Sequence, residues 1–115
     1  MIDLEAALER CGGDRDLLRE IGEIFIETLP AMQAQLRDAL QRGDSSEVRR
    51  LVHTLKNSAD NIGALAIRDD ARAIEEAIAT HGFDPELTPQ CDQLLIRFDA
   101  LATEVRDQIV NERLD

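Results

Sequence analysis

The chain has 115 residues, 43% of them hydrophobic and 32% charged, enough for one compact domain, too short for two independent cores, and too apolar for a disordered tail. Three Phe, no Trp and no Tyr leave any core to Leu, Ile, Val and Ala, which favours helices packed on helices over a sandwich of strands. Thirteen basic against 24 acidic residues give a formal net charge of -11, which repels phosphate backbones and anionic lipid heads and sets nucleic acid and direct membrane contact aside.

Asp3 to Arg10, ending before Gly12-Gly13, reads as a short opening helix with Leu4 and Leu8 on one side. Asp14 then starts a long stripe at helical spacing, Leu17, Leu18, Ile21, Phe25, Leu29, Met32, Leu36 and Leu40, that runs to Gly43. Pro30 interrupts this stripe, but the phase is kept on both sides, so the pattern predicts one kinked helix in preference to two. Asp44-Ser45-Ser46-Glu47 offers an N-cap with a glutamate three residues on, a reciprocal capping arrangement, and a helix from there should end near Gly63. Leu65, Ile67, Ala71, Ile74 and Ile78 mark the next helix, closed by His81-Gly82, where His81 suits the negative end of the helix dipole. Asp84-Pro85 supplies a cap and a first-turn proline for the last stripe, Leu87, Cys91, Leu94, Leu95, Phe98, Leu101, Val105 and Ile109.

Four amphipathic helices with short connections should pack as antiparallel neighbours, because a loop of a few residues cannot carry the chain to the far end of a bundle. The expectation is an all-α, antiparallel four-helix bundle with a short additional N-terminal helix, one domain over residues 1–115. The apolar runs are too short to span a bilayer. Cys11 and Cys91 lie in no CxxC pair and read as reduced thiols of a cytoplasmic protein, with no metal or redox role. No linker is visible, so the chain could be a free protein or a domain of a longer one. The polar exterior of each helix predicts a monomer.

On the helix beginning at residue 44, with each residue advancing about 100°, Val48, Leu51, Val52, Leu55, Ala59 and Ile62 fall within roughly 60° of one direction. His53 lies about 140° around from Val48, with Arg49, Lys56, Asn57 and Asp60 as its helical neighbours. The imidazole therefore stands on a solvated face, beside Arg49, Arg50 and Lys56, in an otherwise acidic chain. It has no second His, Cys or carboxylate at the spacing of a metal ligand pair, and nothing suggests the cleft that a Ser-His-Asp arrangement needs. A phosphoryl acceptor needs less. An exposed imidazole is largely neutral near pH 7 and its ring nitrogen can attack, while nearby cations should favour the neutral form and later attract phosphoryl oxygens, by only about 0–1 kcal/mol at an exposed site.

His53-Thr54-Leu55-Lys56, then Ser58, then Ile62-Gly63-Ala64 resemble the H-x-L-K-G-S-x-x-x-[LIV]-G-A signature of histidine-containing phosphotransfer (HPt) domains of two-component phosphorelays. Phe25 and Pro30, Gly43-Asp44, and Ala73, Ile74 and Glu75 are similar to the family's usual layout, so the resemblance covers nearly the whole chain. It implies a four-helix bundle whose exposed His53 accepts a phosphoryl group on a ring nitrogen. Lys56 steadies that group, and the aspartate of a response-regulator receiver domain is the exchange partner, with a sensor histidine kinase as the other candidate. It also implies no cofactor on this domain, Mg2+ and most of the transfer machinery belonging to the receiver.

One position departs from the signature: Asn57 stands where the family usually has glycine, one turn after His53. An amide narrows the approach to the imidazole or hydrogen-bonds to it. Two readings follow, a relay intermediate and a non-catalytic module that docks a receiver or kinase without exchanging phosphate. In both, the docking face carries Arg49, Arg50, Asn57, Asp60 and Asn61.

Overall fold

The computed structural model describes residues 2–111. Among them are five α-helices: α1 (Leu4–Arg10), α2 (Arg15–Arg42), α3 (Ser45–Ile62), α4 (Leu65–His81) and α5 (Thr88–Val105). A 3-10 turn, Pro85–Leu87, leads into α5, and a π-helical turn, Arg106–Val110, continues it. The fold is an all-α bundle in which α2 packs on α3 and α5, and α4 on α3 and α5, while α1 lies against α3 and α2. At 1.5 Å per residue the 28 residues of α2 span about 42 Å, which accounts for most of the 47 Å long axis. No described helix is long and apolar enough to cross a membrane.

Each boundary has a local cause. Asp14 caps α2 through Leu17 N at 3.1 Å and Asp44 caps α3 through Glu47 N at 3.1 Å. The predicted capping box at Asp44 is half formed. The Asp44 amide is already taken by Ala39 O, 3.1 Å, as α2 closes on left-handed Gly43, and the Glu47 carboxylate turns to Arg50 instead. Pro30 sits inside a continuous α2 at an exposed position, where the ladder bond it removes is least costly. The proline predicted to open the last helix instead starts the 3-10 turn, with Asp84 accepting from Glu86 N; Pro89 occupies the first turn of α5.

The buried stripe of α2 keeps Leu18, Phe25, Leu29 and Leu36 of the predicted one and adds Gly22, Gln33 and Ala39, while Ile21, Met32 and Leu40 are only partly buried. Leu17 is 41% exposed because it lies in the first turn, and Gln33 is buried. Gln33 is satisfied across the bundle: its Nε2 donates to Asp99 Oδ1 at 2.7 Å and to Leu95 O at 3.4 Å, so the amide costs little and ties α2 to α5. Nearby, the Phe25 and Phe98 rings join the same two helices, centroids 6.2 Å apart. In α3 the six residues of the predicted stripe, Val48, Leu51, Val52, Leu55, Ala59 and Ile62, are all buried. That packing aims the opposite face of α3 outward. Cys11 and Cys91 are buried free thiols, and burial, then Asp92, pushes the Cys91 thiol up to about 11.

Candidate functional site

The site grows from the outward face of α3 and one side chain of α4. His53 is held on a helix whose opposite side is sealed into the core, and its side chain is 52% exposed. Ser58, the hydroxyl of the signature, donates to Thr54 O at 3.0 Å within the helix, and Thr54 does the same to Arg50 O at 3.1 Å. Neither hydroxyl competes for the imidazole. Ile62, Gly63 and Ala64 form the buried turn from α3 to α4, with Gly63 left-handed at φ 82°. The signature thus divides into a chemical part, residues 53–57, and a turn that sets how α4 returns along α3.

That return brings Glu75 to the ring. Glu75 Oε2 pairs with His53 Nδ1, and Glu75 Oε1 accepts from Lys56 Nζ at 2.8 Å. The Glu75 and Lys56 side chains are only 15% and 18% exposed, so the pair is sheltered beneath a half-exposed imidazole. Burial raises the Glu75 carboxyl, but hydrogen bonds from Lys56 and His53 together with their charge outweigh it and hold Glu75 below its usual value. On the other side of the ring, Asn57 Nδ2 lies 3.3 Å from Nε2.

These contacts are consistent with one tautomer. A carboxylate only accepts, so Nδ1 carries the proton and donates to Glu75; Nε2 then holds a lone pair, and the Asn57 amide N–H is the group that can face it. Lys56 Nζ, 3.3 Å from Nδ1, meets a protonated nitrogen, and its bond goes to Glu75. The ring's nearest charged partner is therefore a carboxylate from another helix, where the helical spacing of α3 places Arg49, Arg50 and Lys56 beside the ring. In this tautomer Nε2 is the nitrogen that keeps its lone pair.

The other predicted residues separate. Arg49 and Arg50 line a shallow open hollow with Ser46, His53 and Glu75, and Arg50 is paired with Glu47 at 2.5 and 3.0 Å. Asn61 is exposed near the end of α3. Asp60 is committed elsewhere: its carboxylate binds Arg68 Nη1 at 2.9 Å and the Arg10 guanidinium, joining α1, α3 and α4. Sequence spacing gives Glu75 no role, because its partner is 22 residues away and no helical period connects them.

Comparison with known proteins gives a consistent picture. The Hpt domain family profile matches residues 20–108. Among curated proteins, the signal transduction histidine-protein kinase BarA of Shigella flexneri and that of Escherichia coli K12 are each 23% identical over 103 residues, 90% of this chain. The chain spans 11% of the length of these relatives. The crystal structure of the HPT domain from a Shewanella sensor hybrid histidine kinase superposes with a TM-score of 0.84, covering 92% of this chain and 91% of that one at 18% identity, a likeness of fold.

Proposed function

This chain belongs to the Hpt domain family, phosphotransfer modules of two-component signalling, and from that premise we propose that His53 accepts a phosphoryl group and relays it to or from the aspartate of a response-regulator receiver domain. The observation that carries the reading is the setting of the imidazole: the ring is half exposed and its Nδ1 is paired with Glu75, which leaves Nε2 as the nitrogen without a charged partner. In the forward step the Nε2 lone pair forms an N–P bond as the P–O bond to the receiver's aspartyl carboxylate breaks, and that carboxylate leaves with the bonding electrons. The Nδ1 proton stays on the ring. The phosphorylated imidazole is cationic, and Glu75, already ionised and below its ordinary proton affinity, balances it. The reverse step returns the phosphoryl group by the same path.

Lys56 contributes positive charge from beside the ring. Because the site is open to solvent, these fields are modest, and positioning, in-line displacement and the Mg2+ that neutralises the transferred group fall to the partner receiver. The module is a transfer intermediate that cannot complete the reaction without its partner, and so not an enzyme by itself. Receivers and a sensor histidine kinase are its proposed partners, a monomer in the cytoplasm its proposed state, and Arg49, Arg50, Asn57, Asp60 and Asn61 its proposed docking face, with Asp60 acting through the ion pairs that brace it.

His53→Gln tests the reading. The side chain stands outside the core, so the variant should keep its helical content while losing all uptake of acid-labile phosphate from a phosphorylated receiver. Uptake that persists in this variant rules out His53 as the acceptor. Association of wild type with the receiver without movement of phosphate would instead favour a docking module, the reading that Asn57 keeps in view by standing over Nε2.

A further inference from the structure

We infer that Asn57 is a phosphoryl-holding residue: its carboxamide N–H rests on the Nε2 lone pair before transfer and moves to a phosphoryl oxygen afterwards, retaining phosphate on this domain. The inference rests on His53 being the acceptor and concerns the position at which the chain departs from its family. Glycine there has no side-chain donor; the Asn57 amide has two N–H bonds one helical turn from the ring.

The geometry divides the two donors of the site between the two nitrogens of the imidazole. Lys56 Nζ is on the Nδ1 side and bound to Glu75 Oε1 at 2.8 Å. Asn57 Nδ2 is on the Nε2 side, 3.3 Å from the nitrogen that forms the N–P bond. An N–H···N contact at that length between neutral groups in water is weak. Once the N–P bond has formed, the lone pair is gone and three anionic oxygens stand where it pointed. The same amide N–H then makes a charge-assisted bond, which is shorter and roughly twice as strong as a neutral one. Asn57 therefore favours the phosphorylated state over the free one. Lys56, bound to Glu75 on the Nδ1 side, adds field.

The test uses the full chain and phosphoramidate as donor, so that receiver docking does not enter: the P–N bond of the donor breaks, Nε2 forms the new one, and ammonia leaves. After removal of the donor, loss of acid-labile phosphate is followed at neutral pH in wild type, Asn57→Ala and Asn57→Asp. Alanine is a better helix former than asparagine, so the fold is kept. Asn57→Ala should lose phosphate about threefold faster than wild type, the worth of one solvent-exposed charge-assisted bond over a neutral one. Asn57→Asp, equal in size but with a carboxylate turned toward the phosphoryl group, should lose it faster still. In the unphosphorylated protein the Nε2 15N resonance should move downfield in Asn57→Ala, as expected for a lone pair released from a donor, a shift that mere packing at an exposed residue would not produce. Equal lifetimes in wild type and Asn57→Ala, or a longer one in the variant, overturn the inference and leave the acceptor assignment standing. A wild type that takes label from neither phosphoramidate nor a phosphorylated receiver overturns the acceptor assignment itself, and this inference with it.

Discussion

At the scale of single residues, the sheltered Glu75 carboxylate organises the site, joining His53 and Lys56 from a neighbouring helix. Replacing it by glutamine leaves an acceptor for Nδ1–H but removes the charge that balances a phosphorylated ring and partners Lys56. Glu75→Gln should slow phosphorylation of His53 by about three- to tenfold, the range for a partly exposed charged hydrogen bond, measured as initial rates from a phosphorylated receiver. The same substitution has a pH signature. Folding lowers the proton affinity of Glu75 from its ordinary 4.5, so the unfolded chain binds the proton more readily. The stabilisation is complete above that ordinary value and is lost as pH falls through the lower, folded one. Urea unfolding at about pH 6 and about pH 3 should therefore show Glu75→Gln destabilised relative to wild type at the higher pH, with the gap narrowing at the lower.

At the scale of elements, the α3–α4 turn is fixed by Gly63 for two separate reasons. Its φ of 82° is left-handed, costly for any residue with a Cβ. A Cβ there would also lie 2.4 Å from Asp3 O and 3.1 Å from Ala7 Cβ, because Asp3 N donates to Gly63 O at 2.8 Å and brings the N-terminal segment onto the turn. Gly63→Ala should cost more than about 2 kcal/mol and loosen α1, with amide exchange in residues 4–10 accelerating most. Gly43→Ala is the control. It too is left-handed, at φ 64°, but nothing lies within 4 Å of its Cβ position, so it should cost only the conformational term, about 1 kcal/mol. Chemical denaturation of the two variants side by side separates strain from collision.

At the scale of the whole molecule, α2 outruns its partners and draws the bundle out to 47 × 23 × 18 Å, with a radius of gyration of 14.5 Å where a rounder domain of this length would have about 13 Å. A chain carrying a net charge of -11 repels its own copies. Small-angle scattering at moderate salt should accordingly give a radius of gyration of about 15 Å and the mass of one chain; a value grown to that of a dimer would refute the proposed monomer and put Ile24 and Ile96, 57% and 60% exposed, under suspicion as a contact.

The helices, the aspartate caps of α2 and α3 and the inward stripe of α3 are legible in the sequence because each follows from a local rule: a period of 3.6, an aspartate before a first turn, a glycine after a last one. The outward aim of His53 came with them, since fixing one side of a helix fixes the other. The misplaced details were those where one local rule overlaps another, as at Asp44, whose amide the preceding helix had already taken. Register between helices obeys no such local rule. His53 and Glu75 are each eleven residues from Ala64, on either side of the turn, a symmetry that acquires meaning only once α4 is known to run back along α3. The carboxylate partner and the nitrogen it engages depend on that antiparallel packing, because His53 and Glu75 share no helix. Sequence alone determined which residue faces water; tertiary structure decided which of its nitrogens meets a carboxylate.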